Sequence, residues 1–171
     1  MKIFLIGFPG SGKTYLAEKS AELLKYPLKD TDRMIELEDG ETIHEIFKKQ
    51  GEALFREKEA EVLRTLSKNR QAIIATGGGL PCVKGNMEWM NENGFTIYLE
   101  ASAAFLFHRL LKEKKTRPLI SHLTDIELMI YITETLAGRR SYYEKANLTI
   151  NAETCTPVKL SSAIGRKIKM S

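Results

Sequence analysis

A glycine-rich segment close to the start of the chain constrains the fold more than any other feature. Residues 7–14 read GFPGSGKT and match the pattern G-x-x-x-x-G-K-[ST] at every fixed position. A short apolar run precedes this segment, and an amphipathic helical pattern follows it. Between a strand and a helix, such a loop surrounds nucleotide phosphates with backbone N–H groups and a helix N-terminus. The pattern therefore predicts a strand, a P-loop and a helix that bind a nucleotide; a glycine turn that binds nothing is the alternative.

The residues of this segment have separate expected roles. Lys13 is expected to reach the β- and γ-phosphates as a point charge, and the Thr14 hydroxyl is expected to ligate Mg²⁺. The other residues predicted to bind the nucleotide are Gly10, Ser11, Gly12 and Tyr15. Mg²⁺ is therefore the predicted cofactor.

Short apolar runs alternate with helical patterns along the rest of the chain. The runs cover residues 2–7, 72–76, 96–99 and 148–150, with a weaker one at 26–29. This alternation favours βαβ units, which build a mainly parallel sheet covered by helices on both faces. A chain of 171 residues can bury one core but is short for two domains. We therefore predict a single α/β domain over residues 1–171, a three-layer sandwich with about five parallel strands.

The amino-acid composition of the chain limits the kinds of partner that it is expected to bind. The net charge of +4 suits a small anionic substrate as well as nucleic acid, but no basic run carries the interleaved aromatics that stack bases. No stretch approaches the ~20 apolar residues of a membrane span. Cys82 and Cys155 form no CxxC pair, and the three histidines lack metal-ligand spacing. We therefore expect a cytoplasmic protein that binds neither nucleic acid, membrane nor zinc.

Two aspartates, Asp30 and Asp32, follow the second apolar run, where strand ends face the ligand crevice of a parallel sheet. On an extended segment, residues two positions apart point to the same side. One carboxylate could therefore hold Mg²⁺ through water while the other orients the attacking hydroxyl. Alternatively, either aspartate caps the helix that follows. The sequence leaves both interpretations open.

Arg56 and Glu59 lie three residues apart in a helical pattern. On their own, they are best interpreted as a surface ion pair that contributes little to stability. Alternatively, the glutamate holds a guanidinium whose bidentate fork binds a substrate carboxylate. Three consecutive glycines, Gly77, Gly78 and Gly79, then follow the apolar run at 72–76. Their position at a strand end favours close approach of the backbone to a ligand over a simple flexible turn.

A polar, basic segment at residues 112–124 separates two helical patterns, and Pro118 within it disfavours a continuous helix. A loop of this length in a compact domain is often a lid; a solvated surface loop is the alternative. Arg117 in this segment could stabilise charge on a transferring phosphoryl group. Arg139 and Arg140 end the next helical pattern, where pairing with the helix dipole is the alternative to substrate binding. Together the features predict phosphoryl transfer from a nucleotide to a hydroxylated acid, without naming the acceptor.

In this order along the chain, the motifs resemble those of the shikimate kinase family. The matching elements are residues 7–14, Asp30-Thr31-Asp32, Phe55-Arg56 with Glu59, the three glycines, Arg117-Pro118-Leu119, and Arg139 with Tyr143. Six elements in family order are far more specific than any one of them. The resemblance implies a fold like that of nucleoside monophosphate kinases, with five parallel strands, a lid at about 112–124 and a substrate-binding region at about 32–64.

The resemblance also implies a role for each matching residue. Lys13 and Arg117 would neutralise the transferring phosphoryl group, and Thr14 and Asp30 would hold Mg²⁺, Asp30 through water. Asp32 would grip the ring hydroxyls of shikimate and act as a base for its 3-hydroxyl. The other implied contacts are Arg56 and Arg139 at the shikimate carboxylate, the backbone of Gly77, Gly78 and Gly79, Glu59 behind Arg56, an apolar wall of Phe47 and Phe55, and His108-Arg109 near adenine. The implied catalytic residues are therefore Lys13, Asp32 and Arg117.

The reaction that the resemblance implies is phosphorylation of the 3-hydroxyl of shikimate by ATP, a step of aromatic amino acid biosynthesis, carried out by a monomer. Two segments depart from the family pattern: the run at 26–29 is unusually polar, and the loop at 151–155 lacks an arginine near adenine. The alternatives are another small-metabolite kinase, such as a gluconate or nucleotide kinase, and a non-catalytic nucleotide-binding regulator. A regulator would be expected to lose Lys13, Asp32 or Arg117, all of which are present.

Overall fold

The computed structural model describes residues 1–68, 70–117 and 119–169, and its centre is a five-stranded parallel sheet. The strands lie in the order β2-β3-β1-β4-β5. Their bounds are Lys2–Ile6 (β1), Leu28–Asp30 (β2), Ala72–Ala75 (β3), Phe95–Glu100 (β4) and Leu148–Asn151 (β5). Every neighbouring pair runs parallel. Together with the helices that flank the sheet, this confirms the predicted α/β fold class.

Seven α-helices are found in the described part of the chain. They are Lys13–Leu24 (α1), Thr31–Asp39 (α2), Ile43–Thr65 (α3), Asn86–Asn93 (α4), Ala103–Glu113 (α5), Asp125–Tyr143 (α6) and Pro157–Lys169 (α7), with 3-10 turns at Leu66–Lys68, Leu80–Cys82 and Lys114–Thr116. Helix α1 packs against α7, and α5 packs against α6. Helices α2 and α3 pack against each other over a separate small core of Ile35, Ile46, Phe55 and Val62. None of these helices is long and apolar enough to span a membrane.

The central strand explains the apolar run that opens the sequence. β1 lies between β3 and β4, so both of its edges are hydrogen-bonded and all five of its residues are buried. Phe4, for example, stands opposite Ile74 on one side and Thr96 on the other. A strand that is covered on both faces needs apolar side chains in both directions, which accounts for a continuous run rather than an alternating pattern. The carboxyl end of this buried strand leads directly into the glycine-rich loop.

Two predicted boundaries differ from those observed. β2 covers Leu28–Asp30 rather than residues 26–29, and its first residue is partly exposed because β2 is an edge strand. Helix α5 continues to Glu113 and is followed by the 3-10 turn, so the first part of the segment predicted as a loop is helical. Lysine and glutamate favour helices, which accounts for this extension. Pro118, which was expected to interrupt a helix, lies outside the described residues.

Candidate active site

The glycine-rich loop joins the buried β1 to α1, as the motif predicted. Gly12 caps the N-terminus of α1 with a φ of 93°, in the left-handed region that glycine adopts most easily. A Cβ at this position would also lie 3.1 Å from Nη1 of Arg109. The Ser11 N–H donates to the Phe8 carbonyl at 3.1 Å, and its buried hydroxyl has no hydrogen-bond partner in the described part of the chain. The loop therefore presents a helix N-terminus whose cap carries no side chain, with the Arg109 guanidinium beside it.

The Lys13 side chain folds back onto the loop. Its ammonium group donates to the carbonyl oxygens of Gly7 and Phe8, both at 2.9 Å, and the side chain is buried. Burial lowers the pKa of Lys13 to about 8, although the nearby Asp32 carboxylate favours the charged form. The ammonium group thus remains mostly protonated at neutral pH. A cation is held at the mouth of the loop, where a phosphate would meet it.

Asp30 forms hydrogen bonds with two helices, α1 and α2. Its Oδ1 accepts from the backbone N–H groups of Asp32 at 3.1 Å and Arg33 at 3.3 Å, and it is the N-cap of α2. Its Oδ2 accepts from the Thr14 hydroxyl at 3.0 Å. The capping alternative is therefore correct for Asp30, and it does not exclude a metal role. A hydroxyl and a carboxylate side by side are oxygen ligands that suit Mg²⁺, which would complete its shell with water and phosphate oxygens.

Asp32 points inward at the start of α2. Its Oδ1 is buried and has no hydrogen-bond partner in the described residues. Burial raises the pKa of Asp32 to about 6, and the negative charge of Asp30 acts in the same direction, whereas Lys13 lowers it. An unsatisfied buried carboxylate oxygen costs stability unless a ligand donates to it. The site therefore offers a strong acceptor for a substrate hydroxyl.

Arg56 and Glu59 on α3 do not form a surface ion pair. Arg56 Nη1 lies 2.6 Å from Glu59 Oε2, and Glu59 is only 1% exposed. A second bond at 2.7 Å joins Arg56 to the exposed Glu52. Burial raises the pKa of Glu59 to about 7, and the neighbouring Arg56 opposes this shift. Two carboxylates therefore hold the guanidinium in a fixed orientation, and the favoured surface interpretation is wrong.

The three glycines allow the side chains of the site to approach the backbone. A Cβ at Gly77 would lie 2.5 Å from Asp32 Oδ1 and 2.7 Å from Glu59 Oε1. A Cβ at Gly79 would overlap the guanidinium of Arg56. All three glycines also line one cavity with these charged groups, and their approach to a ligand stays a prediction. Any larger residue at these positions would displace the charged groups of the site.

The two consecutive arginines of α6 point to different places. The Arg139 guanidinium lies over the Phe8 ring, with its Cζ 5.6 Å from the ring centroid. Arg140 is 61% exposed and pairs with Glu144 at 2.7 Å. Arg140 is therefore a surface residue near the C-terminus of the helix, in keeping with the alternative of pairing with the helix dipole, whereas Arg139 lines the acceptor cavity.

Two cavities meet at this edge of the sheet. The acceptor cavity, of about 150 Å³, is lined by Asp32, Arg56, Glu59, Arg139, the three glycines and the apolar side chains of Phe8, Ile43, Phe47, Phe55, Leu110, Leu119, Ile120 and Tyr131. The nucleotide cavity, of about 420 Å³, is lined by Gly10, Gly12, Lys13, Thr14, Tyr15, Glu18, Asp30, Thr76, Arg109 and Glu113. Four residues line both: Pro9, Asp32, Gly78 and Arg117. A group bound in one cavity would therefore touch a group bound in the other beside Asp32 and Arg117.

The comparisons with known proteins agree on one family. The family model described as Shikimate kinase matches residues 9–169. A shikimate kinase of Phocaeicola vulgatus is 39% identical over 152 residues, which cover 89% of this chain and 87% of the relative. The chain belongs to the shikimate kinase family.

Solved structures of shikimate kinases agree with this assignment. The crystal structure of the enzyme from Bacteroides thetaiotaomicron superimposes with a TM-score of 0.89 at 36% identity, covering 99% of this chain and 97% of the other. The enzyme from Acinetobacter baumannii, solved in complex with shikimate, gives a TM-score of 0.88 at 32% identity and covers 99% and 93% of the two chains. Shikimate kinases therefore share the whole fold described above.

Nearly all of the site residues predicted from the sequence line one or both of the cavities. Arg117 lines both cavities and donates to Glu113 Oε2 through Nε at 3.0 Å and Nη2 at 2.6 Å. Arg109 lines the nucleotide cavity, whereas His108 does not, and neither does the buried Ser11. Pro9, Ile43 and Tyr131 also line the cavities, although the sequence did not single them out. Ile43 and Tyr131 are ordinary apolar helix positions in the sequence, so only their place in the fold marks them.

Proposed function

We propose that this chain transfers the γ-phosphate of ATP to the 3-hydroxyl of shikimate, giving shikimate 3-phosphate and ADP. The observation that carries the proposal is the junction of the two cavities: a pocket with Arg56, Arg139 and Asp32 opens onto the phosphate-binding loop. Membership of the shikimate kinase family supports the same reaction, as does the Acinetobacter baumannii relative that was solved with shikimate. The reaction belongs to the pathway that makes aromatic amino acids.

The acceptor cavity has the chemistry that a hydroxylated ring acid requires. Arg56 and Arg139 would bind the carboxylate, since a guanidinium donates two parallel hydrogen bonds to such a group. Phe47 and Phe55, whose ring centroids are 4.5 Å apart, would cover a face of the ring. The unpartnered Oδ1 of Asp32 would accept from a ring hydroxyl. With a pKa of about 6, Asp32 is mostly ionised at neutral pH and can take a proton as the hydroxyl attacks.

On the nucleotide side, Lys13 would exchange the carbonyls of Gly7 and Phe8 for the β- and γ-phosphates of ATP. Thr14 and Asp30 would hold Mg²⁺, which when bound neutralises negative charge on the phosphates. Arg117 would leave Glu113 and turn to the transferring group, because both cavities are within its reach. Movement of the segment at 112–124 would then exclude water, a competing nucleophile. A monomeric, cytoplasmic enzyme remains our prediction.

The test is a coupled ADP-release assay with shikimate, gluconate and nucleoside monophosphates as acceptors, combined with calorimetric titration of two variants. Arg139→Ala should weaken shikimate binding by ~2–5 kcal/mol, about 30-fold or more, because the carboxylate loses a charged partner inside the cavity. ATP binding should be unchanged. Arg140→Ala is the matched control, since Arg140 lies on the exposed side of the same helix and pairs with Glu144.

Two results would count against the proposed function. Faster turnover of gluconate or of a nucleoside monophosphate than of shikimate would favour another small-metabolite kinase. An equal loss of ATP and shikimate affinity in Arg139→Ala, with the fold intact, would show that Arg139 does not belong to the acceptor side.

A further inference from the structure

Tyr143 lies one helical turn after Arg139, at the end of α6. The side chain is completely buried, and its ring stacks at 5.1 Å on Tyr98 of β4. The Tyr143 hydroxyl donates to the carbonyl oxygen of Gly78 at 2.6 Å. Residues four apart on a helix share a face, and Arg139 lines the acceptor cavity together with the three glycines. The tyrosine thus connects α6 to the loop that lines the acceptor cavity.

The phenol of Tyr143 is a hydrogen-bond donor to the glycine loop. Burial raises its pKa well above the usual range for tyrosine, so the phenol stays protonated, while the positive charge of the neighbouring Arg139 guanidinium opposes this shift. A phenol hydroxyl has a single hydrogen, and the Gly78 carbonyl receives it. The hydroxyl therefore fixes the Gly78 carbonyl on the side of the cavity that also carries Arg139.

This bond also sets the direction of the next peptide N–H. The peptide between Gly78 and Gly79 is trans, since no cis bond occurs in the described residues. In a planar trans peptide the C=O and N–H groups point in opposite directions. With the Gly78 carbonyl held by Tyr143, the Gly79 N–H is turned away from the tyrosine. Gly79 lines the acceptor cavity next to the Arg56 guanidinium, and its N–H meets no acceptor within the described part of the chain.

We propose that Tyr143 is a positioning residue for the acceptor carboxylate. Its hydroxyl holds the Gly78–Gly79 peptide in one orientation beside Arg139, in which the guanidinium and the Gly79 N–H bind the same anion. The inference rests on the proposed function, because it assigns to the same acceptor site a residue that supports the groups in contact with the substrate. Tyr143 does not touch the substrate or the reacting atoms.

The test compares Tyr143→Phe with the wild type in steady-state kinetics. The substitution keeps the buried ring and removes only the hydroxyl. We expect the KM for shikimate to rise about 10-fold, because the bond that orients the Gly78–Gly79 peptide is lost, while kcat and the KM for ATP change less than about 2-fold. Tyr98→Phe is the matched control: the stacked ring is equally buried, but its hydroxyl belongs to a different surface beside Glu100 and Arg140. It should leave all three constants unchanged.

A second substrate separates positioning from a general structural effect. This substrate is an analogue of shikimate whose carboxylate is reduced to a primary alcohol. It lacks the anion that the groups positioned by Tyr143 would bind. Wild type and Tyr143→Phe should then have the same KM within about 2-fold. An equal defect with both substrates, or a parallel rise in the KM for ATP, would overturn the inference and leave the proposed function standing. A wild type that does not phosphorylate shikimate would overturn both.

Discussion

Asp32 should make the ligand-free protein less stable at neutral pH than it would be with a neutral side chain. Burial raises the pKa of this carboxyl from 3.8 to about 6, and Oδ1 has no partner in the described residues. The folded protein therefore binds the proton more tightly than the unfolded chain does. The contribution of Asp32 to the free energy of unfolding is therefore most favourable below its unfolded-state pKa and is lost as the pH rises through its folded-state pKa. Replacing Asp32 with asparagine keeps the shape and removes the charge.

The magnitude follows from the two pKa values. A difference of about two units corresponds to about 3 kcal/mol at pH 7.5, where the carboxyl is ionised in both states. At pH 5 the folded state is still largely protonated, and the same linkage gives about half of that amount. For a chain of this length, 1 kcal/mol shifts Tm by about 2–4 °C. Asp32→Asn should therefore raise Tm by up to about 6–12 °C at pH 7.5, and by about half as much at pH 5.

The assay is thermal unfolding of wild type and variant at both pH values, without nucleotide or acceptor. Asp30→Asn is the matched control, because asparagine caps helices about as well as aspartate and the N-cap of α2 is kept. It should change the free energy of unfolding by at most about 1 kcal/mol, because the lost interaction with the helix dipole is offset by relief of the repulsion between Asp30 and Asp32. A decrease in Tm for Asp32→Asn at pH 7.5, or an increase that is the same at both pH values, would refute the reasoning.

The same substitution should abolish most of the activity. Asparagine cannot take a proton from the attacking hydroxyl, and loss of a general base typically costs 10²–10⁴-fold in rate. We therefore expect kcat with shikimate to fall at least ~100-fold in the variant with the higher Tm. A rise in Tm together with a fall in kcat would show that Asp32 destabilises the fold but is required for the reaction. A variant with near-normal kcat would show that Asp32 is not the base.

Three further substitutions test separate parts of the structure. Gly79→Ala should raise the KM for shikimate at least ~10-fold, since the new methyl group would overlap the Arg56 guanidinium; an unchanged KM would exclude this. Thr42→Ala removes the capping box with Glu45 at the start of α3 and should lower the free energy of unfolding by ~1 kcal/mol in urea, with kcat retained. Lys13→Met should reduce kcat at least ~100-fold in the ADP-release assay, and a smaller loss would contradict its assignment to the phosphates.

The centre of the sheet could be predicted because β1, β3 and β4 are largely buried on both faces. Four of the five runs, those of β1, β3, β4 and β5, were placed within one residue at each end. The bounds of β2 were displaced because an edge strand needs no apolar residue on its open side, and Leu28 is partly exposed. The order β2-β3-β1-β4-β5 depends on contacts between distant segments. Local periodicity carries no information on such contacts.

The candidate site shows the same division between local and distant information. The P-loop was predictable because backbone, helix and lysine are contiguous in the sequence. Whether Arg56 faces solvent or substrate could not be decided from its helix, because the deciding partners are distant glycines. Tyr143 had a local signal in its spacing of four from Arg139, but its acceptor, Gly78, is 65 residues away. Side chains that act across such distances are assigned only once the fold is known.

Three ionisable side chains around the junction of the two cavities are buried, and burial disfavours the charged form of each. Burial shifts the pKa of Lys13 down to about 8, and those of Asp32 and Glu59 up to about 6 and 7. In each case burial opposes the charged form, so without ligands the folded state carries charges that it does not fully compensate. Phosphates would supply the missing partner for Lys13, and a substrate hydroxyl would supply one for Asp32. Both ligands should therefore stabilise the fold more than their contact area alone suggests, because each completes a site that folding leaves unsatisfied.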